Sequence, residues 1–465
     1  MNILFRLCLT VFAAVILMCG YQANGQETVG SATTPSASGS TSDRSDDDDS
    51  RSSTELRRKS VSSDPDAPGP LTFQLTPELS FGAKLSLELR PSDDLDLNES
   101  ADDHLVQGTA KLRLSLLYEP HRLIDIYTEV EWKLQDPLSD GNGERSTEEE
   151  LTLRRAYLLW REFLVQTLSL QFGRQRFSDD RQWLFDENLD AVRLKWEQDK
   201  FSAELSVAEL LFEPVVFDDR PRSFKDEEAL QVVLSGRYQY DEKERVTGFA
   251  VFRQDGRRET DLAWVGGSWR GRLKRHKIWV DASGLLGQDR GQEVWAHAID
   301  AGITLRYDVP WKPSFTFATA YGSGDSEPRR GHDLTFRQTG LQDNEWRFNG
   351  LTKFKYYGEV VDPELSNLVI TTAAFGVLPI EKLSVDLVYH YYAQAEKFDE
   401  LRHADIEEHL TGKSRDIGHA VDLIFGYRIG DKIRGSVLGG CFFPGDAFEQ
   451  KDTAFAGKLT LQIAF

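Results

Sequence analysis

The chain has 465 residues, among them 27 Phe, 14 Tyr and 10 Trp against only 2 Met and 3 Cys. A hydrophobic fraction of 40% and a mean hydropathy of -0.45 exclude a bundle of membrane helices, because each such helix needs about 20 nearly uninterrupted apolar residues. With 55 basic and 76 acidic residues the net charge is -21, which argues against nucleic acid as a partner, since phosphate binding draws on surplus Lys and Arg.

Taken in chain order, the first feature is the apolar run from Leu7 to Met18 behind Arg6, followed by small and polar residues at Ala23, Asn24 and Gly25. This pattern predicts a secretory signal peptide over residues 1–25. Cys19 offers the alternative of a lipoprotein acylation site, against which the bulk of Met18 counts. Removal of the signal leaves Cys441 as the sole cysteine, so an exported chain would have no internal disulfide. Residues 26–70 are Ser-, Thr-, Asp- and Pro-rich, include the run Asp46 to Asp49, and are expected to be disordered. Subtracting the 9 acidic and 5 basic residues of that segment, and Arg6, leaves 67 acidic and 49 basic residues, a net of -18 for the remainder.

From residue 71 to 465 the sequence is a succession of segments in which alternate positions are apolar, the mark of strands with two different faces. At the end of the chain Phe455, Leu459, Leu461, Ile463 and Phe465 share one face, while Lys458, Thr460 and Gln462 share the other. A soluble sandwich would alternate in the same way. Connection lengths separate the two architectures. Short links at 119–122, 197–200, 241–244, 309–313, 378–382 and 430–432 alternate with long polar ones at 91–104, 135–149, 176–188, 209–228, 394–416 and 443–453. That layout predicts an all-β fold, a transmembrane antiparallel β-barrel of the outer membrane with turns in the periplasm and loops outside. Counting every two-sided stretch gives roughly 19 strands, and assigning Glu345 to Tyr357 to one long external loop, 323–366, restores an even number of about 18. In lipid a closed barrel pairs every backbone group without a large apolar core, which reconciles low hydropathy with a membrane location. Trp132 and Trp196 fall on the apolar side near strand ends, where aromatic girdles belong.

A basic residue facing lipid at mid-membrane costs about 2 to 4 kcal/mol, so basic residues within strands should face the lumen. Arg193 and Lys195 oppose Val192, Leu194 and Trp196, and Arg306 and Arg237 likewise oppose apolar or small neighbours. Asp300, Asp386 and Asp422 fall on the same inner side, so the lumen carries both signs, and mutual pairing across the wall would account for such residues without any substrate. Residues 173–194, GRQRFSDDRQWLFDENLDAVRL, concentrate Arg174, Arg176 and Arg181 beside Asp179, Asp180, Asp186 and Asp190, and Arg154 and Arg155 arrive at the same height. Guanidinium groups suit a carboxylate-bearing polymer because they stay charged and grip a carboxylate with two parallel hydrogen bonds.

This block, with FRQTGLQDNEWRF at 336–348 and YYGEVVDPELSNL at 356–368, resembles the alginate export family of outer-membrane barrels over essentially all of 71–465. The resemblance implies an 18-stranded porin whose Arg-lined constriction passes an acidic polyuronate outward. It places Arg174, Arg176, Arg181 and Arg193 in that constriction, with Arg154 as a neighbour, and lumenal parity adds Lys195. The expected partners are an anionic polysaccharide or other anionic solute, outer-membrane lipid and periplasmic export proteins around a monomer, with no cofactor and no metal. The Ser- and Asp-rich segment is a departure from the family. An acidic exterior does not forbid anion passage, because charges more than about 10 Å away are largely screened at 0.1 M salt.

Other classes remain as alternatives. An uptake porin for small anions would use the same lumen, and a closed scaffold barrel would conduct nothing. No G-x-S-x-G elbow, H-E-x-x-H pair, phosphate loop or CxxC is present to mark an enzyme. A barrel-embedded hydrolase would need Ser384 and His390 to meet, and His403 with His409 lacks a third metal ligand. SDGNGE, with Asp140, Asn142 and Glu144, reads as a polar turn before it reads as a calcium loop.

Overall fold

The computed structural model describes residues 67, 69–98, 103–141, 146–210, 215–216, 229–241, 243–327 and 331–465. The expected signal peptide and nearly all of the polar segment, as well as Asn142 and Glu144, lie outside these residues. In chain order the strands are β1 (Phe73–Thr76), β2 (Leu79–Asp93), β3 (Leu105–His121), β4 (Ile124–Asp140), β5 (Glu148–Trp160), β6 (Leu168–Ser178) and β7 (Asp186–Gln198). There follow β8 (Phe201–Glu209), β9 (Val215–Val216), β10 (Leu230–Asp241), β11 (Glu244–Asp255), β12 (Thr260–Leu273), β13 (His276–Asp289), β14 (Gln292–Arg306) and β15 (Ser314–Gly322). The remainder are β16 (Glu345–Trp346), β17 (Phe354–Lys355), β18 (Leu368–Ile380), β19 (Leu383–Gln394), β20 (Asp416–Ile429), β21 (Ile433–Pro444) and β22 (Ala454–Ala464).

The main sheet contains 20 strands, and setting aside the short additions β1 and β9 leaves the 18 that form a closed antiparallel wall. Closure is made by β2 and β22, in register from Lys84 opposite Ala464 to Asp93 opposite Phe455. The long connections expected from the sequence all fall at one end of the barrel, where β11–β12 and β13–β14 are nevertheless joined by the short links 256–259 and 290–291, and Glu345 to Tyr357 does belong to the long loop, where β16 and β17 form a small separate hairpin. By the general rule for such barrels the turn end is periplasmic.

The two faces of the wall separate by side-chain chemistry. Leu205, Leu234, Val265, Phe317, Leu387 and Val437 project outward and are exposed. Trp160, Trp196, Tyr240, Trp269, Tyr307 and Tyr427 form the outward aromatic girdle near the turn end, where amphipathic rings sit at the headgroup level. The intervening positions point inward and many are polar or charged, among them Glu129, Arg155, Asp281, Asp300, Asp386 and Asp422, all buried.

Among the described residues, three pieces of chain enter the lumen. The first belongs to the long loop after β15, whose Phe336, Phe348, Phe354, Tyr356, Tyr357 and Val360 are buried. A loop with this many rings needs an apolar partner, and it finds one in inward wall residues: Trp279 packs edge-on to Trp346 at 5.1 Å and lies stacked with Phe348 at 6.0 Å. Gly358 (φ +116) turns the chain where a Cβ would lie 2.1 Å from the Tyr392 hydroxyl, which donates to the Tyr357 carbonyl at 2.8 Å.

The second is the upper part of the β6–β7 hairpin. Pairing of β5 with β6 stops at Ala156 opposite Arg174, and β5 continues instead against β9, Glu150 opposite Val216. Pairing of β7 with β8 begins only at Asp190 opposite Glu209. Between those points β6 and β7 pair, among the described strands, with each other alone, and residues of both parities, Gln175, Phe177, Asn188 and Leu189, are buried. It therefore leaves the wall and folds inward.

The third is Gly69–Leu71, just before β1. Gly69 N donates to Glu129 Oε2 at 3.1 Å, and Leu71 packs with the inward residues Leu117, Tyr127 and Tyr157. Gly82 is required at this point because a Cβ there would meet the Pro70 carbonyl oxygen at 1.9 Å. Gly69 and Pro70, grouped by composition with the polar segment, are thus ordered and buried.

Candidate functional site

The lumen is the candidate site, and its geometry follows from how the inserted hairpin and loop meet the wall. A β-bulge in β5 sets one end of it. Glu129 faces Arg155 and the next residue, Val130, faces Leu153, so Arg154 is the extra residue. The bulge reverses parity, and both neighbouring arginines point inward: Arg155 to Glu129 at 3.6 Å and Arg154 to Glu131 at 3.3 Å. Glu131 also pairs with Arg113.

Each other residue that the sequence assigns to the constriction has a carboxylate partner. Arg174 lies opposite Asp190 and binds it at 3.0 Å, both buried. Arg176 Nε donates to Asp186 at 2.7 Å. Arg193 contacts Glu204 at 2.9 Å, donates to the Arg176 carbonyl at 3.2 Å and lies 4.2 Å over the Phe177 ring. Lys195 pairs with Glu197 at 2.6 Å towards the turn end, more exposed than the rest. The structure therefore brings Arg174, Arg176 and Arg193 together on the inserted hairpin and its root, leaves Arg154 on the adjoining wall, and sets Lys195 apart.

Arg181 takes a different position. The hairpin loop, residues 179–185, is wound round the Asp179 carboxylate, which accepts the backbone N–H groups of Leu184 (2.7 Å), Phe185 (2.9 Å) and Trp183 (3.1 Å). This compact tip carries Arg181 across the lumen to Asp281 and Asp300, both at 2.8 Å, with the Tyr356 ring 4.1 Å from its guanidinium carbon. Asp300 also accepts from Tyr357 OH at 2.7 Å and Trp279 Nε1 at 2.8 Å. Arg181 is 1% exposed, and the opposing carboxylates hold it firmly charged in spite of its burial. Between them Asp179 and Arg181 flank Asp180, which reaches Arg245 at 2.7 Å. Burial alone would raise the Asp180 carboxyl, but Arg245, Arg237 and Arg270 hold it well below the usual carboxylate range.

The inserted hairpin and the long loop bind each other as well. Gln338 Nε2 donates to the Trp183 carbonyl at 2.6 Å, Asp186 N donates to the Leu341 carbonyl at 2.5 Å, and Thr339 donates to the Leu184 carbonyl. The sequence signal for this loop was its own composition, since WRFNGLTKFKYY at 346–357 is too aromatic for a solvated loop. Arg245 and Arg270 were not singled out from the sequence; their signal lies in strand register, which no local pattern reveals.

Ser384 and His390 do not meet. Ser384 accepts from Leu351 N at 2.9 Å and His390 contacts Thr372 at 2.9 Å, while the two lie six positions apart on β19, roughly 20 Å along the strand. At the loop end the Asp93, Asp94 and Asp103 carboxylates gather within 4.8 Å of one another, but Asp103 is occupied in accepting Asp94 N at 2.8 Å and Leu95 N at 2.9 Å.

The alginate export family profile matches residues 78–462. The alginate production protein AlgE of Pseudomonas aeruginosa is 26% identical over 340 residues, covering 63% of this chain and 67% of that protein. The protein of the same name from Pseudomonas syringae pv. tomato is 23% identical over 390 residues, 70% of this chain and 76% of that one. Among solved structures, OccK2 (OpdF) of Pseudomonas aeruginosa and OccAB2 of Acinetobacter baumannii each superpose with a TM-score of 0.54 at 10% identity, covering 83% of this chain and 97% and 98% of theirs. These likenesses establish the fold, and the family match covers nearly the whole barrel. The chain belongs to the alginate export family and is an outer-membrane β-barrel channel.

Proposed function

We propose that the barrel exports an acidic polysaccharide of the alginate kind, with lumenal arginines gripping its carboxylates in turn. The observation that supports this reading is the concentration of inward arginines on one side of the lumen, each with a carboxylate partner already in place. A paired arginine can exchange its resident carboxylate for one on the substrate without ever being left as a bare buried charge, whereas an unpaired one would hold the polymer too tightly to release it. Arg154, Arg176 and Arg193 are the partly exposed members and would contact substrate. Arg174 and Arg181 are nearly inaccessible and would hold the hairpin in shape. Lys195 would act as an outlying contact at the turn end.

The test is planar-bilayer conductance with oligouronates and polyuronates of graded length added on the turn side. The expected result is an anion-selective current that longer uronates block more tightly, and loss of most of that selectivity when Arg154, Arg176 and Arg193 are replaced together by glutamine. Selectivity unchanged in the triple variant would overturn the assignment of the contact residues. Block by small monocarboxylates that does not strengthen with chain length would favour uptake of small anions instead.

A further inference from the structure

Asp180 stands out because it belongs to no wall strand, yet sits in a site built by three of them. Arg245 of β11 and Arg270 of β12 are direct cross-strand partners. Like charges placed opposite one another destabilise a sheet, so this register is tolerable only with an anion between the two guanidiniums. Arg237, on the neighbouring β10, completes the group. The anion now present is the Asp180 carboxylate: Arg245 NH2 meets Oδ1 at 2.7 Å and Nε meets Oδ2 at 2.8 Å, a two-point grip. Arg270 stands at 3.8 Å and Arg237 at 3.9 Å. Arg270 additionally holds Asp281 at 2.7 Å, which fixes its direction.

We propose that Arg237, Arg245 and Arg270 form a carboxylate-binding subsite in the turn-end half of the lumen, and that Asp180 is a resident stand-in which a substrate uronate displaces. The proposal rests on the polyuronate export reading and adds to it a site and a closing contact. Accessibility supports displacement. Asp180 is 17% and Arg237 31% exposed, whereas Arg181 and its two aspartates are 1 to 3% exposed. Asp180 and Arg181 are adjacent, so the same tip is pinned by a closed ion pair on one side and presents an exchangeable carboxylate on the other. Replacing one carboxylate by another conserves charge in the site, and a polymer offers many carboxylates at high local concentration once its end has entered.

The experiment measures block of ion current by oligouronates in wild type, Asp180→Asn, Arg245→Gln and Glu88→Gln. Glu88 is a lumenal carboxylate paired with Arg90 on β2, outside this site, and its removal gives the general effect of one lost negative charge. The expected results are block about tenfold tighter in Asp180→Asn, less than about twofold tighter in Glu88→Gln, and several-fold weaker in Arg245→Gln. Heat-shifted gel mobility reports that each barrel is folded, and an Asp180→Ser variant repeats the test if the asparagine variant is not. Equal tightening in Asp180→Asn and Glu88→Gln, or unchanged block in Arg245→Gln, would overturn the subsite while leaving the channel reading intact. Ion current that no uronate blocks in any of the proteins would instead overturn the export reading, and the subsite with it.

Discussion

Arg181 shows how a buried charge can organise a lumen. It crosses from the hairpin tip to two aspartates on β13 and β14, and the rings of Tyr356, Trp279 and Trp346 surround its guanidinium within 5.2 Å. Removing one member of such a group leaves the others charged and unsatisfied, a larger loss than the net worth of the pair. Arg181→Ala should therefore lower stability by about 3–5 kcal/mol, seen as a fall in the denaturant midpoint of the folded barrel. Asp180 carries a pH response. Its folded-state affinity for a proton is depressed, so its contribution is present above the ordinary carboxylate range and is lost only as pH falls through the lower folded value. Contact of the tip with Arg245 should persist at pH 4 and fail in stronger acid, as read by cross-linking or hydrogen exchange at residues 179–185.

At the scale of elements, residues 335–367 of the long loop behave as a small folded unit that uses the barrel as its second layer. Trp346 and Phe348 supply its contact with Trp279, and Trp346→Ala should weaken docking by about 3 kcal/mol. Faster proteolysis within 323–367, with the barrel itself intact, would register the loss. Glu359 in the same loop is half-buried, and burial pushes its carboxyl up to about 7 despite Lys458 and a hydrogen bond from Lys355 N, with Asp422 adding to the rise. Its folded-state value lies above the unfolded one, so the stabilisation is complete below the ordinary Glu range and is lost as pH rises through about 7. Proteolysis of the loop should therefore accelerate between pH 5 and 8, and Glu359→Gln should flatten that change. These elements also show where sequence reasoning stops. In β6 and β7 the apolar positions switch parity, from Leu168, Leu170 and Phe172 to Phe177 and from Leu189 and Ala191 to Val192, Leu194 and Trp196, but a change of face does not by itself say that the upper hairpin leaves the wall. The pairing of β9 with β5 that replaces it is a long-range event. The Arg154 bulge is likewise set by cross-strand register, although two adjacent arginines in a membrane strand are its trace in the sequence.

For the whole molecule, the division between a lipid face and a wet interior was legible because it obeys a period of two along most of the wall, and alternating connection lengths then gave the strand count. What fills the interior was not, since inward residues answer to partners far away in sequence. The same division carries a prediction that separates a membrane barrel from any soluble arrangement of these strands. Val265 lies mid-strand on β12 and is exposed on the outer face, while its neighbour Trp264 points inward and donates to the Arg337 carbonyl at 2.8 Å. An arginine at Val265 would have to bring its charge into hydrocarbon or bend towards a headgroup, at a cost of about 2–4 kcal/mol near the midplane. In water the same exposed position would accept arginine within about 0.5 kcal/mol. Folding titrations of Val265→Arg in lipid vesicles and in a short-chain detergent micelle discriminate the two. A loss in vesicles that shrinks in the thinner, more deformable micelle is the expected result, and a barrel indifferent to the substitution in both would mean that this surface does not face lipid.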